Sequence, residues 1–390
     1  MTNKEGVRER AVSWRRVTPL FLGHLVTDGF GGFFAPLLPL LIDRLDLSLA
    51  MAGVLGTIRI LSGSLTQPVL GYLLDRAQRP ILAVVGPIIA ILAMGSIGLV
   101  NSSWQLAVLL AVGGLGVALF HPANASLVAT TGGGKRGLAM AFFSAGGTLG
   151  GALSPLIIVP YVNALGLERT PWLILPGLAA VGLIAVSISN NTTAYRPTTA
   201  PPRERFNLRG LPPALIAIWL VIVFRSLAGT SFWNFLAVLI TQRGASTLLG
   251  GAGISLFSLA GALGGFVGGA LSDRIGPRWV MFGSLLLSFP FLLLFLHGPA
   301  ALSLIFLGLA GFFLFGSTPV GIVAAQRLLP GKTGLVSGLV MGFAWGVGGL
   351  LLTPIGWLAD LYGLVPVMTG VAFLPLVGAG LALLYREPME

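Results

Sequence analysis

The sequence predicts an all-α membrane protein: twelve transmembrane helices in two six-helix pseudo-symmetric bundles. Three observations carry this expectation. Of the 390 residues, 55% are hydrophobic and 9% charged, whereas a soluble domain carries about 25% charged residues, so a water-facing surface cannot be covered. The basic residues fall on one set of alternating connections. The chain also repeats itself across its midpoint.

A helix needs about 20 apolar residues to cross the hydrocarbon. Residues 1–16, "MTNKEGVRERAVSWRR", are polar and basic and read as a cytoplasmic tail. The run that follows is too long for a signal-peptide core, and no small-residue cleavage site closes it. Cutting the rest at polar and Pro/Gly punctuation gives spans over 17–42, 49–74, 80–100, 104–129, 137–164 and 172–189, the N-terminal bundle 17–189. "NNTTAYRPTTAPPRERFNLRG" (190–210) reads as a cytoplasmic linker. Spans over 211–241, 247–272, 279–297, 300–326, 333–359 and 364–385 make the C-terminal bundle 211–385, and 386–390 is a tail. The 56 glycines suit helices packed closely in lipid.

Of the 23 lysines and arginines, 18 lie in the two tails and the even-numbered connections, and only Arg44, Arg169 and Arg243 in the odd ones. This is a positive-inside pattern with both termini cytoplasmic, so the +11 net charge is topology and no nucleic-acid partner is expected. The repeat appears as "GYLLDRAQRP" (71–80) against "GALSDRIGPR" (269–278), and as Pro122 and Lys135 against Pro319 and Lys332. Two halves in the same orientation are a transporter architecture.

The G-x-L-x-D-R-x-G-x-R pattern after the second and eighth spans resembles the loop signature of the major facilitator superfamily. Gly269, Asp273, Arg274 and Arg278 fit it, as do Gly71, Asp75, Arg76 and Arg79, although the first copy lacks the second glycine. "GHLVTDGFGGFFAPLLPLL", "QPVLGYLLD", "LFHPANASLVA", "AAQRLLPGKTGLVSGLVMGFAWGVGGL" and "AFLPLVG" together resemble the fosmidomycin-resistance type of bacterial drug exporter. The resemblance implies a major facilitator fold in the bacterial plasma (inner) membrane and a monomer. It implies secondary active transport by alternating access, and a proton-coupled antiporter exporting a small organic anion or drug. Asp75 and Asp273 would be gate-latching acids that pair with arginines and cap helix ends on the cytoplasmic side. That family reads His-Pro-Glu in the fourth span where this chain has His121-Pro122-Ala123; if that glutamate is a proton site in relatives, coupling here leans on other residues or differs in stoichiometry.

Asp28 alone among the acids lies well inside a span; Asp43, Asp46, Asp75, Glu168, Asp273 and Asp360 sit at ends or in loops. A membrane carboxylate is costly to keep charged and is a natural proton carrier; the alternative is a carboxylate held permanently by Arg or His. His24, four residues earlier, shares its helical face, as proton partner or as a polar brace. His121 beside Pro122 reads as an imidazole lining a cavity at a flexure, with Asn124 near it; the alternative is a histidine bonded to a neighbouring backbone. Arg59 and Arg225 are intramembrane cations whose forks match organic anions. The alternatives are a fixed Arg225–Asp28 pair and snorkelling of Arg59 to the interface. Phe232, Trp233 and Trp345 are either apolar walls of the substrate site or ordinary packing.

"LPGKTG" and "GGGKRG" lack the spacing of a phosphate loop. Three scattered histidines and no cysteine offer no metal spacing and no thiolate or disulfide. No enzyme and no cofactor are expected; the partners are a small anionic or amphipathic substrate, protons and membrane lipids. Proton-coupled organic-anion uptake by symport, and a non-transporting sensor or scaffold, stand as alternatives.

Overall fold

The computed structural model describes residues 13–67, 70, 82–131, 136–189, 212–329, 336 and 338–385. Twelve apolar helical passes run through them, without a strand among the described residues. The first pass is Trp14–Gly31 continued by Phe34–Leu45, the second Leu49–Ser64, the third Leu82–Gly95, the fourth Ser103–Thr131, the fifth Arg136–Leu165 and the sixth Ile174–Ser189. The seventh is Pro213–Gln242, the eighth Thr247–Ile275, the ninth Pro277–His297 and the tenth Ser303–Gly316 continued by Thr318–Leu328. The eleventh joins a π-helical turn, Gly338–Phe343, to Ala344–Leu350 and Leu352–Tyr362; the twelfth joins Leu364–Ala372 to Leu374–Ala382. With an even number of passes, residues 13 and 385 lie on one face of the membrane, called here the terminal side; the opposite face is the distal side.

Four passes that the sequence presents as single spans are broken, at Gly32–Phe33, Ser317, Leu351 and Phe373. Each break precedes a proline in the first turn of the next segment: Pro36, Pro319, Pro354 and Pro375. A first-turn amide has no intrahelical acceptor, so a proline there loses nothing, and the chain breaks where the missing bonds cost least. Pro122 behaves differently and stays inside an unbroken helix. There two side chains bond back to the helix, His121 Nδ1 with the Val117 carbonyl (2.8 Å) and Asn124 Nδ2 to the Phe120 carbonyl (3.1 Å).

In the first half the first pass packs on the fifth, and the fourth on the second and third; in the second half the tenth packs on the eighth and ninth, and the seventh on the twelfth. The halves meet where the second pass touches the eleventh, the fifth touches the eighth and the first touches the seventh. Glycine allows these approaches. A large buried apolar cluster runs through both halves, and a smaller one, around Val17, Leu20, Phe120, Val128 and Phe143, fills the terminal end of the first half. Outward faces stay apolar: Phe266, Leu183 and Leu175 are 76%, 71% and 67% exposed, as lipid contact demands and water would forbid.

Arg243 follows the seventh pass and ties its distal end to the ninth. Its Nη1 donates to the Phe295 carbonyl (2.8 Å) and Nη2 to the Leu296 carbonyl (2.7 Å), two of the last carbonyls of a helix, which have no intrahelical donor. Hydrogen bonds to a charged group contribute about 1.5–3 kcal/mol. Arg243→Ala should lower the thermal midpoint of the purified protein, and Arg243→Lys should recover only part of it, because an ammonium lacks the fork. A midpoint unchanged in the alanine variant would refute this.

Candidate functional site

Three passes of the first half converge on Asp28. His24 stands one turn earlier on the same helix, and its Nε2 lies 3.2 Å from Asp28 Oδ2. His121 comes from the fourth pass, beside Pro122, with Nε2 3.7 Å from Asp28 Oδ1. Arg59 of the second pass acts electrostatically on the same carboxylate. Its guanidinium lies over the Trp233 ring of the seventh pass, 4.7 Å from the centroid. Arg59 therefore lies against an aromatic ring of the other half while staying within electrostatic reach, though not within ion-pair distance, of the acid. It does not snorkel.

Backbone contacts fix both imidazoles. His24 Nδ1 is 2.8 Å from the Phe143 carbonyl on the fifth pass, and His121 Nδ1 is 2.8 Å from the Val117 carbonyl on its own helix. A carbonyl accepts only, so each Nδ1 carries the hydrogen and each Nε2 turns to Asp28. An unprotonated Nε2 and a carboxylate are both acceptors, and they attract only with a proton between them. The His121 contact is too long for a hydrogen bond, which leaves this arm room to close or open. His24 thus braces the first pass to the fifth and also faces the acid.

Aromatic rings enclose His24, with Phe143 stacked at 4.3 Å, Phe120 at 5.4 Å and His121 edge-on at 5.0 Å. Phe21 and Phe142 stack at 4.5 Å one turn towards the terminal side. His24 is 7% exposed. The Asp28 and His121 side chains are more open, at 24% and 29%.

Gly147 of the fifth pass makes the arrangement possible. A Cβ there would stand 2.6 Å from Asp28 Oδ2 and would collide with His24 Nε2. Sequence reasoning missed Gly147 and Phe143. The run "SAGGTLGG" (144–151) was visible, but it signals close packing without saying what is packed.

The remaining expected site residues divide. Trp233 faces Arg59 as a wall should. Trp345 is 44% exposed. Phe232 is fully buried, 6.4 Å from both Phe257 and Phe295; it belongs to the core of the second half because neighbouring residues on a helix point about 100° apart, and Trp233 takes the open direction. Asn124 is fully buried and bonded into its own helix, so it does not line a cavity here. Arg225 is buried inside the second half, where Nη2 donates to Ser226 Oγ (3.1 Å) and the guanidinium lies 5.8 Å from the Phe315 ring. It forms no pair with Asp28, whose ion-pair-distance neighbours are His24 and His121 of the first half.

Of the gate residues, Gly71, Asp75, Arg76 and Arg79 lie outside the described residues. Gly269, Asp273, Arg274 and Arg278 close the eighth pass and open the ninth. Among the described residues Asp273 makes no ion pair within 4 Å, and Arg278 lies over Trp279 at 5.2 Å.

The ligand atoms of His24, Asp28 and His121 lie within 4.8 Å of one another, a convergence that their separation along the chain conceals. These are the residues that would hold a metal. The guanidinium of Arg59 in the same field opposes a divalent cation.

Comparison with known proteins agrees with this fold. The family model described as Major Facilitator Superfamily matches residues 20–222 and 218–390. The fosmidomycin resistance protein of Escherichia coli (strain K12) is 30% identical over 369 residues, covering 92% of this chain and 89% of that one. The probable nitrate/nitrite transporter NarK2 of Mycobacterium tuberculosis (strain ATCC 25618 / H37Rv) is 30% identical over 258 residues, 62% of each. Among solved structures, a bacterial homolog of the human lysosomal transporter Spinster, in an inward-facing and occupied conformation, superposes with a TM-score of 0.75 at 17% identity, covering 95% of this chain and 96% of that one. By the family match over nearly its whole length, by the resistance protein and by its twelve-pass fold, this chain belongs to the major facilitator superfamily, a family of transporters.

Proposed function

We propose that this transporter exports an amphipathic drug or small organic anion from the bacterial cytoplasm across the inner membrane, in exchange for protons carried at Asp28. The observation that carries the reading is the meeting of Asp28, His24, His121 and Arg59, with Arg59 laid on Trp233 of the other half. The basic bias of the tails and even connections supports a cytoplasmic terminal side, with 1–16, the linker 190–210 and 386–390 facing the cytoplasm. The family match removes the ground for a sensor or scaffold. The name of the resistance protein supports a drug, and that of the nitrate/nitrite transporter supports an anion.

Charge sets the direction of coupling. A basic drug would pair with Asp28 and be expelled when the carboxylate takes a proton, which is exchange. An anion would instead compete with Asp28 for Arg59. A proton on Asp28 removes the negative charge that opposes an anion near Arg59, so proton and anion bind together. That linkage favours a second reading, organic-anion uptake by symport, for any substrate held by Arg59 alone. Arg225, behind Phe315, is assigned no direct contact in this state.

Reconstitution into liposomes with an imposed pH gradient separates the two. Exchange moves the solute against the proton flow; accumulation on the side the protons enter would replace export by symport. Asp28→Asn should abolish pH-driven transport while leaving substrate binding partly intact, and His121→Gln should weaken coupling. Undiminished proton-driven transport in Asp28→Asn would remove Asp28 from the mechanism.

Gly147→Val should cut pH-driven transport roughly tenfold, the effect of about 1.4 kcal/mol. Gly151→Val is the matched control, because a Cβ at Gly151 meets no atom within 4 Å. Equal activity in the two variants would show that the close approach of the fifth pass does not matter. In a thermal-shift screen, small anions should stabilise the protein, and Arg59→Ala should remove that shift more completely than Arg225→Ala. Stabilisation by cationic compounds alone, indifferent to Arg59, would reverse the assigned electrostatics of the cavity.

A further inference from the structure

The amide groups that open the second pass are answered from the other half of the molecule. Leu49 N–H donates to Asp360 Oδ1 and Ala50 N–H to Asp360 Oδ2, both at 2.8 Å. The next amide, Met51 N–H, donates to Ser48 Oγ (3.1 Å), the local N-cap. A helix leaves its first amides without intrahelical acceptors and carries partial positive charge there. Here one carboxylate more than 300 residues away in the chain takes two of them at once.

The carboxylate reaches because the two helices touch backbone to backbone. A Cβ on Gly53 would strike the Leu352 carbonyl oxygen, and a Cβ on Gly356 would strike the Leu49 carbonyl oxygen. Further along, Thr57 Oγ1 donates to the Gly349 carbonyl (2.7 Å) and lies 3.0 Å from Thr353 Oγ1. Gly349, Thr353, Gly356 and Asp360 recur at spacings of four, three and four, which is one stripe of the eleventh pass. Asp360 stands at the distal end of that stripe.

We propose that Asp360 is a positioning residue of the transport cycle: by capping the second pass in trans it holds the distal side of the molecule shut. A transporter that alternates must part its halves on this side once per cycle, and this bidentate contact spans the parting surface. It is not a bond that folding either half requires. The latch differs in place and partner from the acids expected at Asp75 and Asp273, which belong to the terminal side. The inference rests on the transporter reading only for the premise that the halves separate.

The chain has no cysteine, so labels can be placed cleanly. Trp104 and Leu302, 66% and 43% exposed, stand at the distal ends of the fourth and tenth passes, one in each half. Spin labels at Trp104→Cys and Leu302→Cys in lipid nanodiscs report distal separation. Leu138→Cys and Ile275→Cys, at 52% and 47% exposed positions, report the terminal side. Asp360→Asn should raise the distal-open population about tenfold, the size of about 1.4 kcal/mol from charge-assisted bonds. Leu49→Pro tests the same contact from the other partner. Proline suits the first position of a helix and removes one amide, and Ser48 before it is already extended at ψ 162°. It should shift the distances the same way, and the double variant should shift them no further than the larger single effect.

Distal distances unchanged in both folded single variants, while the terminal pair still shows two populations, would overturn the latch and leave the transporter reading standing. A fall in thermal midpoint with no change in distances would also overturn it, by reducing Asp360 to a structural cap. If neither pair separates in any variant, alternating access itself fails and the latch fails with it.

Discussion

Hydrocarbon offers no hydrogen bonds, so every amide and every charge inside the membrane has to be answered by the chain itself. Most of this architecture follows from that constraint. It forces twelve helical passes, and it places four breaks just ahead of prolines whose missing amides are the ones a helix start does not use. The fourth pass stays whole through Pro122, and beside it His121 and Asn124 bond back to their own helix. The constraint also brings the first amides of the second pass under a carboxylate from the eleventh.

The same constraint gives the site its character. Asp28 draws an imidazole from its own helix, another from the fourth pass and a guanidinium from the second. The imidazoles are already committed to carbonyls through Nδ1, so their remaining nitrogens and the carboxylate need protons between them to attract. Arg59 is the one member that keeps its charge throughout, and it faces the other half through Trp233. In the proposed mechanism a ligand entering there would meet a fixed cation, an aromatic plane and an acid.

The second pass joins this site to the seam between the halves. From Leu49, where Asp360 caps it, to Arg59 is ten residues, about 15 Å of helix. Gly53 and Thr57 on the same stretch meet the eleventh pass. Any movement that parts the seam also moves Arg59 relative to Trp233. The two halves repeat in sequence yet divide the labour: the acid lies in the first, while Arg225 in the second is buried against Phe315 with no carboxylate within ion-pair distance among the described residues.

The sequence alone determined the number of passes, the polarity of the connections and the unusual residues Asp28, His24, His121 and Arg59, because hydrophobic length, charge asymmetry and a polar group in an apolar run are local properties. It could not say that Phe232 turns into the core while Trp233 meets Arg59, nor that Arg225 stays away from Asp28, because those outcomes depend on helix rotation and on which pass stands beside which. Pro36, Pro319, Pro354 and Pro375 were legible as letters, but the breaks before them were not, since Pro122 in the same kind of run breaks nothing. Gly147, Gly53 and Gly356 read only as glycines among many. Asp360 read as one more acid at a span end. What these residues do is a matter of contact across hundreds of positions in the chain, and only the packed structure brings those positions within reach of one another.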